Sequence, residues 1–244
     1  MVLIPLKKSE LNYNFSYFDT PVTKVIQNGS EFILFGIPYN TDDGLNKFVL
    51  KSNGYEKLFN VNVQRKNYLS QNININKFKK KSKDELDRIY KEKLEMIEAK
   101  ENRYNNYPDL NFIKPLDGIV TGVFGTQRFY NGKKGKFHNG HDLAAPIGTP
   151  IKAPSGGKVM LTGHYYYNGK FVMLDHGNGL VSIFLHMDDI HVSKGNVIKK
   201  DHVIGTVGNT GLSTGPHLHW SVMVNNVYVD PLEFIDKPMT ELDN

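Results

Sequence analysis

The stretch Phe171-Val172-Met173-Leu174-Asp175-His176-Gly177-Asn178-Gly179-Leu180-Val181-Ser182-Ile183-Phe184-Leu185 places two short apolar runs on either side of Gly177-Asn178-Gly179. Runs of this length bounded by turn formers read as strands, and an Asn-Gly pair between them is a strong hairpin signal. Similar runs recur nearby: Lys158-Val159-Met160-Leu161, Val203-Ile204-Gly205-Thr206-Val207 and Trp220-Ser221-Val222-Met223-Val224, each bounded by Gly, Asn or Pro. From residue 107 to 238 the chain therefore predicts a compact antiparallel-sheet domain.

Upstream the pattern changes. Between residues 76 and 106 a basic run, Lys77 to Lys83 interrupted by Phe78 and Ser82, leads into Ser82-Lys83-Asp84-Glu85, the Ser-x-x-Glu spacing of a capping box. Leu86, Ile89, Tyr90, Leu94 and Ile97 then recur every three or four residues, which predicts a helical linker that packs this stripe and exposes its charges. The lysine run reads as the solvated start of that helix, and no aromatic interleaving supports nucleic acid. Residues 1–75 hold Glu31-Phe32-Ile33-Leu34-Phe35, Phe48-Val49-Leu50 and the alternation Phe59-Asn60-Val61-Asn62-Val63, the pattern of a small antiparallel β-domain. The expected fold class is mainly β.

Composition narrows the chemistry. Among 244 residues there is no cysteine, so disulfides and Cys-based zinc or redox sites are excluded and any metal must be held by His, Asp or Glu. The formal charge of +5 is carried mostly by lysine, which fits a solvated surface or an anionic polymer substrate. No stretch approaches the roughly 18 apolar residues of a membrane span, so the chain reads as soluble. The opening Met1-Val2-Leu3-Ile4-Pro5-Leu6-Lys7-Lys8 is too short for a signal peptide, and the expectation is that any export signal has been removed.

The histidines carry the functional signal. In Gly215-Pro216-His217-Leu218-His219-Trp220 the two rings, two residues apart on a strand, project from one face. A hydrogen-bonded pair at a strand start is the ordinary alternative. A second cluster, His138-Asn139-Gly140-His141-Asp142, places a His and an Asp around a glycine that lets the backbone turn, on a loop or strand edge. His138, Asp142 and one nitrogen of the His-x-His pair make three protein ligands, the count of a catalytic zinc. His186, ending the run Phe184-Leu185-His186-Met187, is a candidate supporting group beside such a metal.

Taken with Gly148-Thr149-Pro150-Ile151-Lys152-Ala153-Pro154 and Asp175-His176-Gly177-Asn178-Gly179, these motifs resemble the lysostaphin-like, LytM-type (M23) zinc metallopeptidases over about residues 112–236. The first part of the chain is similar to the amino-terminal β-domain and helical linker of some Gram-negative members. The resemblance implies that His138, Asp142 and His219 bind Zn2+ and that His186 and His217 are the catalytic histidines. His217, beside a ligand on the same strand, is the expected general base; His186 either orients the water or stabilises the oxyanion.

One departure stands out. The staphylococcal branch carries a tyrosine shortly before the first zinc histidine, whereas here the nearest, Tyr130, lies eight residues upstream, and neither it nor Arg128 is assigned a role. His141, His164, His176, His191 and His202 read as turn or surface residues, with His141 the one to watch.

The expected activity is zinc-dependent hydrolysis of peptide cross-links in peptidoglycan, as a D,D-endopeptidase that sometimes acts as a D,D-carboxypeptidase, in the periplasm. The alternatives are a glycyl-glycine endopeptidase and a non-catalytic peptidoglycan-binding or amidase-activating module. Retention of every ligand position argues against the last. An appended β-domain on a stiff helix would also be placed to limit access to the groove.

Overall fold

The computed structural model describes residues 1–64, 66–74, 81–235, 239 and 241–242. Its amino-terminal strands are β1 (Val2–Pro5), β2 (Ser16–Tyr17), β3 (Thr20–Pro21), β4 (Thr23–Gln27), β5 (Ser30–Phe35), β6 (Gly44–Ser52), β7 (Tyr55–Val63) and β8 (Ser70–Ile73). Helix α1 (Lys83–Glu101) follows. After it come β9 (Ile119–Gly122), β10 (Gln127–Tyr130), β11 (Lys133–Phe137), β12 (His141–Ala144), β13 (Pro150–Lys152) and β14 (Gly157–Tyr165). The last strands are β15 (Gly169–Gly177), β16 (Leu180–Ile190), β17 (Val197–Ile198), β18 (Val203–Val207), β19 (His217–Val224) and β20 (Val227–Val229).

β15 and β16 form the expected hairpin, closing at Gly177 opposite Leu180. Asn178 and Gly179 both take positive φ, 50° and 85°, which is the requirement of a type I′ turn. Around this hairpin a large sheet runs in the order β17-β14-β15-β16-β19-β12-β9, with β18 pairing β13 and β16 and β20 pairing β19. Its central strands are nearly continuous in apolar residues because both faces are covered.

The amino-terminal strands make two sheets, β1-β5-β4 and β3-β2-β6-β7, while β8 leaves them to pair in parallel with β10, in the order β11-β10-β8. One apolar cluster crosses between the regions: Leu3, Val25, Phe32 and Leu34 pack with Phe112, Val222, Val224 and Phe234. A separate cluster of Phe15, Ile33, Phe35, Phe48 and Leu50 fills the space between the two amino-terminal sheets.

Helix α1 starts where the sequence places it. Ser82 Oγ accepts from the Glu85 amide at 3.1 Å and the Glu85 carboxylate accepts from the Ser82 amide at 2.8 Å. Most of the preceding lysine run lies outside the described residues. The expectation that the apolar stripe packs is not met, since Leu86, Tyr90, Leu94 and Ile97 are all exposed. The helix instead turns Glu85, Glu92, Glu95, Met96 and Ala99 towards the end of β14. Tyrosine hydroxyls and a free amide at that end need acceptors, and carboxylates supply them where leucines cannot. Among the described residues no helix is long and apolar enough to cross a membrane.

Candidate metal centre

Strand register builds the first half of the site. β12 pairs antiparallel with β19 so that Asp142 lies directly opposite His219 and Ala144 opposite His217. Opposed side chains in such a ladder share a face, and residues two apart on one strand do as well. Asp142, His217 and His219 are thereby delivered to one patch. His138, Asn139 and Gly140 lie on the loop expected there, while His141 and Asp142 open β12, an interior strand between β19 and β9 rather than a sheet edge. Gly140 does not take a left-handed backbone; a Cβ there would stand 2.4 Å from the Trp220 carbonyl oxygen and 2.8 Å from His219 Nε2. Close approach, not turning, requires the glycine.

His138 follows β11 and is fixed by main chain on both sides, its amide donating to Thr126 O and its carbonyl accepting from Gly125 N, both at 2.8 Å. Its Nε2 lies 3.0 Å from Asp142 Oδ1 and 3.1 Å from His219 Nδ1, and the third side of this triangle, His219 Nδ1 to Asp142 Oδ1, measures 2.7 Å. The ring's other nitrogen, Nδ1, is 3.0 Å from the Val123 carbonyl, which can only accept, so Nδ1 carries the proton and Nε2 presents a lone pair. His219 Nε2 contacts Ser221 Oγ at 2.7 Å, a hydroxyl that can accept from it and leave Nδ1 to present a lone pair. Two imidazole lone pairs and a carboxylate oxygen converge on one point, a donor set that calls for a cation.

The electrostatics agree. Burial alone would raise the Asp142 pKa, but the imidazoles of His138 and His219 outweigh it and hold the carboxylate well below its ordinary range. Burial pushes His219 down against the pull of Asp142, which keeps its ring neutral as a ligand must be. Behind the carboxylate there is no room: a Cβ at Gly122 would lie 2.4 Å from Asp142 Oδ2.

Beside the triangle stand two more rings. His217 Nδ1 faces Gly215 O at 2.8 Å, and its Nε2 lies 3.8 Å from Asp142 Oδ1. His186 arrives by an irregularity. β15 and β16 pair Val172 with Phe184 and Lys170 with Met187, so Leu185 and His186 together oppose Phe171. This bulge puts His186 at φ 64° and turns its ring to 4.8 Å from that of His217 and 6.3 Å from that of His219, measured between centroids. Its Nδ1 is held by Thr210 O at 2.8 Å, and burial lowers its pKa to about 4.

All five sequence-derived positions therefore meet in one place. Sequence reasoning missed the groups behind them: Ser221, Gly122 and the carbonyls of Val123, Thr210 and Gly215. Only Ser221 carries a readable signal, since it lies two residues beyond His219 on the same strand face. Arg128 also reaches the site, with Nη2 3.6 Å from Asp142 Oδ2. Two histidines expected at turns or the surface are buried. His176 lies on β15 between Gly156 O and Ser182 Oγ, both at 2.8 Å, and His141 hydrogen-bonds Asp230 Oδ1 at 2.9 Å. His176 is partnered on both nitrogens, which is what allows a histidine to be buried, whereas among the described residues His141 is held through Nε2 alone. His164, His191 and His202 are exposed as expected.

A centre of two imidazoles and one carboxylate at a sheet surface, flanked by two further histidines, defines a metallopeptidase-like site. Residues 136–231 match the family model described as Peptidase family M23. A solved structure of a putative M23 peptidase from Pseudomonas aeruginosa superimposes with a TM-score of 0.77 at 34% identity, covering 95% of this chain and 91% of that one. The chain belongs to the M23 peptidase family. It is 41% identical over 96 residues to the peptidoglycan DD-endopeptidase ShyA of Vibrio cholerae, covering 39% of this chain and 22% of the relative. It is also 39% identical over 107 residues to the DD-carboxypeptidase/endopeptidase Mpg of Neisseria meningitidis, covering 44% of this chain and 24% of the relative. Less than a quarter of either relative's length is spanned.

Proposed function

We propose that this protein is a zinc-dependent peptidase that hydrolyses peptide cross-links of peptidoglycan in the cell envelope, as a D,D-endopeptidase with D,D-carboxypeptidase activity, in the periplasm. The observation that carries the reading is the convergence of His138 Nε2, Asp142 Oδ1 and His219 Nδ1, with the second nitrogen of each ring engaged from behind. The names of the relatives supply the substrate class. Residues 107–238 would form the peptidase unit, with residues 1–75 a β-domain and 76–106 a linker.

His138, Asp142 and His219 are the proposed ligands. Zinc bound there supplies Lewis acidity, which makes water a usable nucleophile near neutral pH. His217 acts as general base. Gly215 O accepts a hydrogen bond from its Nδ1–H, so Nε2 is free to accept a proton from the attacking water. His186 is kept neutral by burial and, with Nδ1–H committed to Thr210 O, presents a second lone pair that orients the water. Later, the proton on His217 passes to the leaving amine.

Mass spectrometry of muropeptides from diaminopimelate-type sacculi tests this. The zinc-loaded protein should convert cross-linked dimers to monomers, and His217→Ala should lower the rate by about 10²–10⁴ while retaining metal. Sacculi left unchanged by the wild-type protein, with about one zinc per chain verified, would overturn the reading.

A further inference from the structure

The turn Tyr166–Asn168 between β14 and β15 has two sides, one clasped by helix α1 and the other joined to the main chain of His186 and of the loop before β19. On the helix side, Arg88 and Glu92 form an i,i+4 pair at 2.6 Å. Arg88 Nη2 donates to His164 O and Glu92 Oε2 accepts from Tyr166 N, each at 2.9 Å. The pair thus grips the backbone on both sides of Tyr165, whose hydroxyl donates to Glu95. Tyr166 Oη adds a bond to Glu85 at 3.2 Å.

On the other side, Asn168 O accepts from the His186 amide and Tyr167 O accepts from the Leu212 amide, both at 2.9 Å. Thr210 Oγ1 ties Lys170 N at 2.9 Å to Met187 O at 2.7 Å, while Thr210 O receives His186 Nδ1. There is no slack between these pieces. A Cβ on Gly169, at φ 64°, would stand 2.3 Å from Thr210 Oγ1, and one on Gly211 would stand 2.2 Å from Gly169 N. His186 itself holds a left-handed φ of 64°, a conformation that persists only where its surroundings enforce it.

We propose that Glu92 and Arg88 of α1 are positioning residues for His186, acting through the main chain of the β14–β15 turn. The inference rests on the peptidase reading for its catalytic consequence, but the mechanical link stands on these contacts alone. It also accounts for the orientation of α1: its carboxylate face is turned inward because the turn presents main-chain and hydroxyl donors there. A single lost hydrogen bond is a modest effect, whereas a misplacement of about 1 Å at a reacting group costs on the order of 10²-fold in rate.

The test uses the full chain and two readouts. In zinc-loaded protein acting on a purified cross-linked muropeptide dimer, Glu92→Ala should lower kcat by about tenfold or more with KM within about twofold and zinc content unchanged. Glu92→Gln keeps an acceptor for the Tyr166 amide and should recover most of kcat. In metal-free protein, hydrogen exchange at the His186 and Leu212 amides should accelerate by about tenfold in Glu92→Ala while β12 and β19 amides keep their wild-type rates. Wild-type kcat and unchanged exchange in Glu92→Ala would overturn the proposal. So would exchange that rises equally across β12 and β19, because the variant would then merely be less stable. If the wild-type protein cleaves nothing, the exchange readout still decides the mechanical link, and it is the peptidase reading that fails.

Discussion

The three proposed ligands and the proposed water-orienting His186 occupy one site but are held by different means. Asp142 and His219 face each other in a regular antiparallel register, and His138 is clamped between two main-chain bonds on the loop that leads from β11 into β12. His186 sits in a bulge at positive φ and His217 leans on the loop before β19, each ring fixed by a backbone carbonyl from a neighbouring turn. A ligand set placed by register is as rigid as the sheet. His186, placed by a bulge and a turn, depends on whatever braces them, which here is a helix from outside the sheet.

Breaking the ligand side should have the larger effect. Gly122→Ala drives a methyl group into Asp142 Oδ2, so metal content measured by elemental analysis should fall by about 10²-fold in affinity, and activity with it. Ser221→Ala leaves the His219 ring in place but removes the hydroxyl that engages its Nε2; zinc affinity by chelator competition should drop by about 10–100-fold. The Glu92 variants strike the other side, and they should change kcat with the metal retained. If Glu92→Ala instead lost zinc, the two halves of the site would not be independent.

The smallest effect on turnover, though not on stability, concerns a histidine outside both groups. Burial holds His176 at a pKa of about 4, below its unfolded value of about 6.5. The unfolded chain therefore binds the extra proton first. The stability contributed by the neutral ring is fully present above about pH 6.5 and lost as pH falls towards 4, by about 3 kcal/mol. Denaturant titrations across that window should show the loss, and His176→Asn should remove its share of the slope while buried His186 keeps contributing.

Legibility in the sequence follows the same division. The Asn178-Gly179 turn, the apolar runs of β15 and β16 and the His217-x-His219 spacing are local patterns whose geometry is fixed by strand periodicity, so they read directly. The ligand triangle needed the partners from distant segments to be matched, which the family motifs supplied. What could not be read was carried by main chain: the carbonyls of Val123, Thr210 and Gly215 leave no residue-type signature. The stripe Leu86, Tyr90, Leu94 and Ile97 shows correctly that there is a helix and wrongly which face packs, because periodicity contains no information about the polar groups waiting on the other side. His176 was misread for a related reason, since burial there depends on Ser182 and Gly156, which only folding brings near.

The apolar cluster that joins Leu3, Val25 and Leu34 to Val222, Val224 and Phe234 has a consequence for how such a chain changes over generations. A module hung on a flexible tether can be exchanged by recombination with little harm to its neighbour. Here an amino-terminal region exchanged for one lacking these side chains would leave the buried Val222, Val224 and Phe234 facing water, so the swap would carry a folding cost that a tethered module escapes.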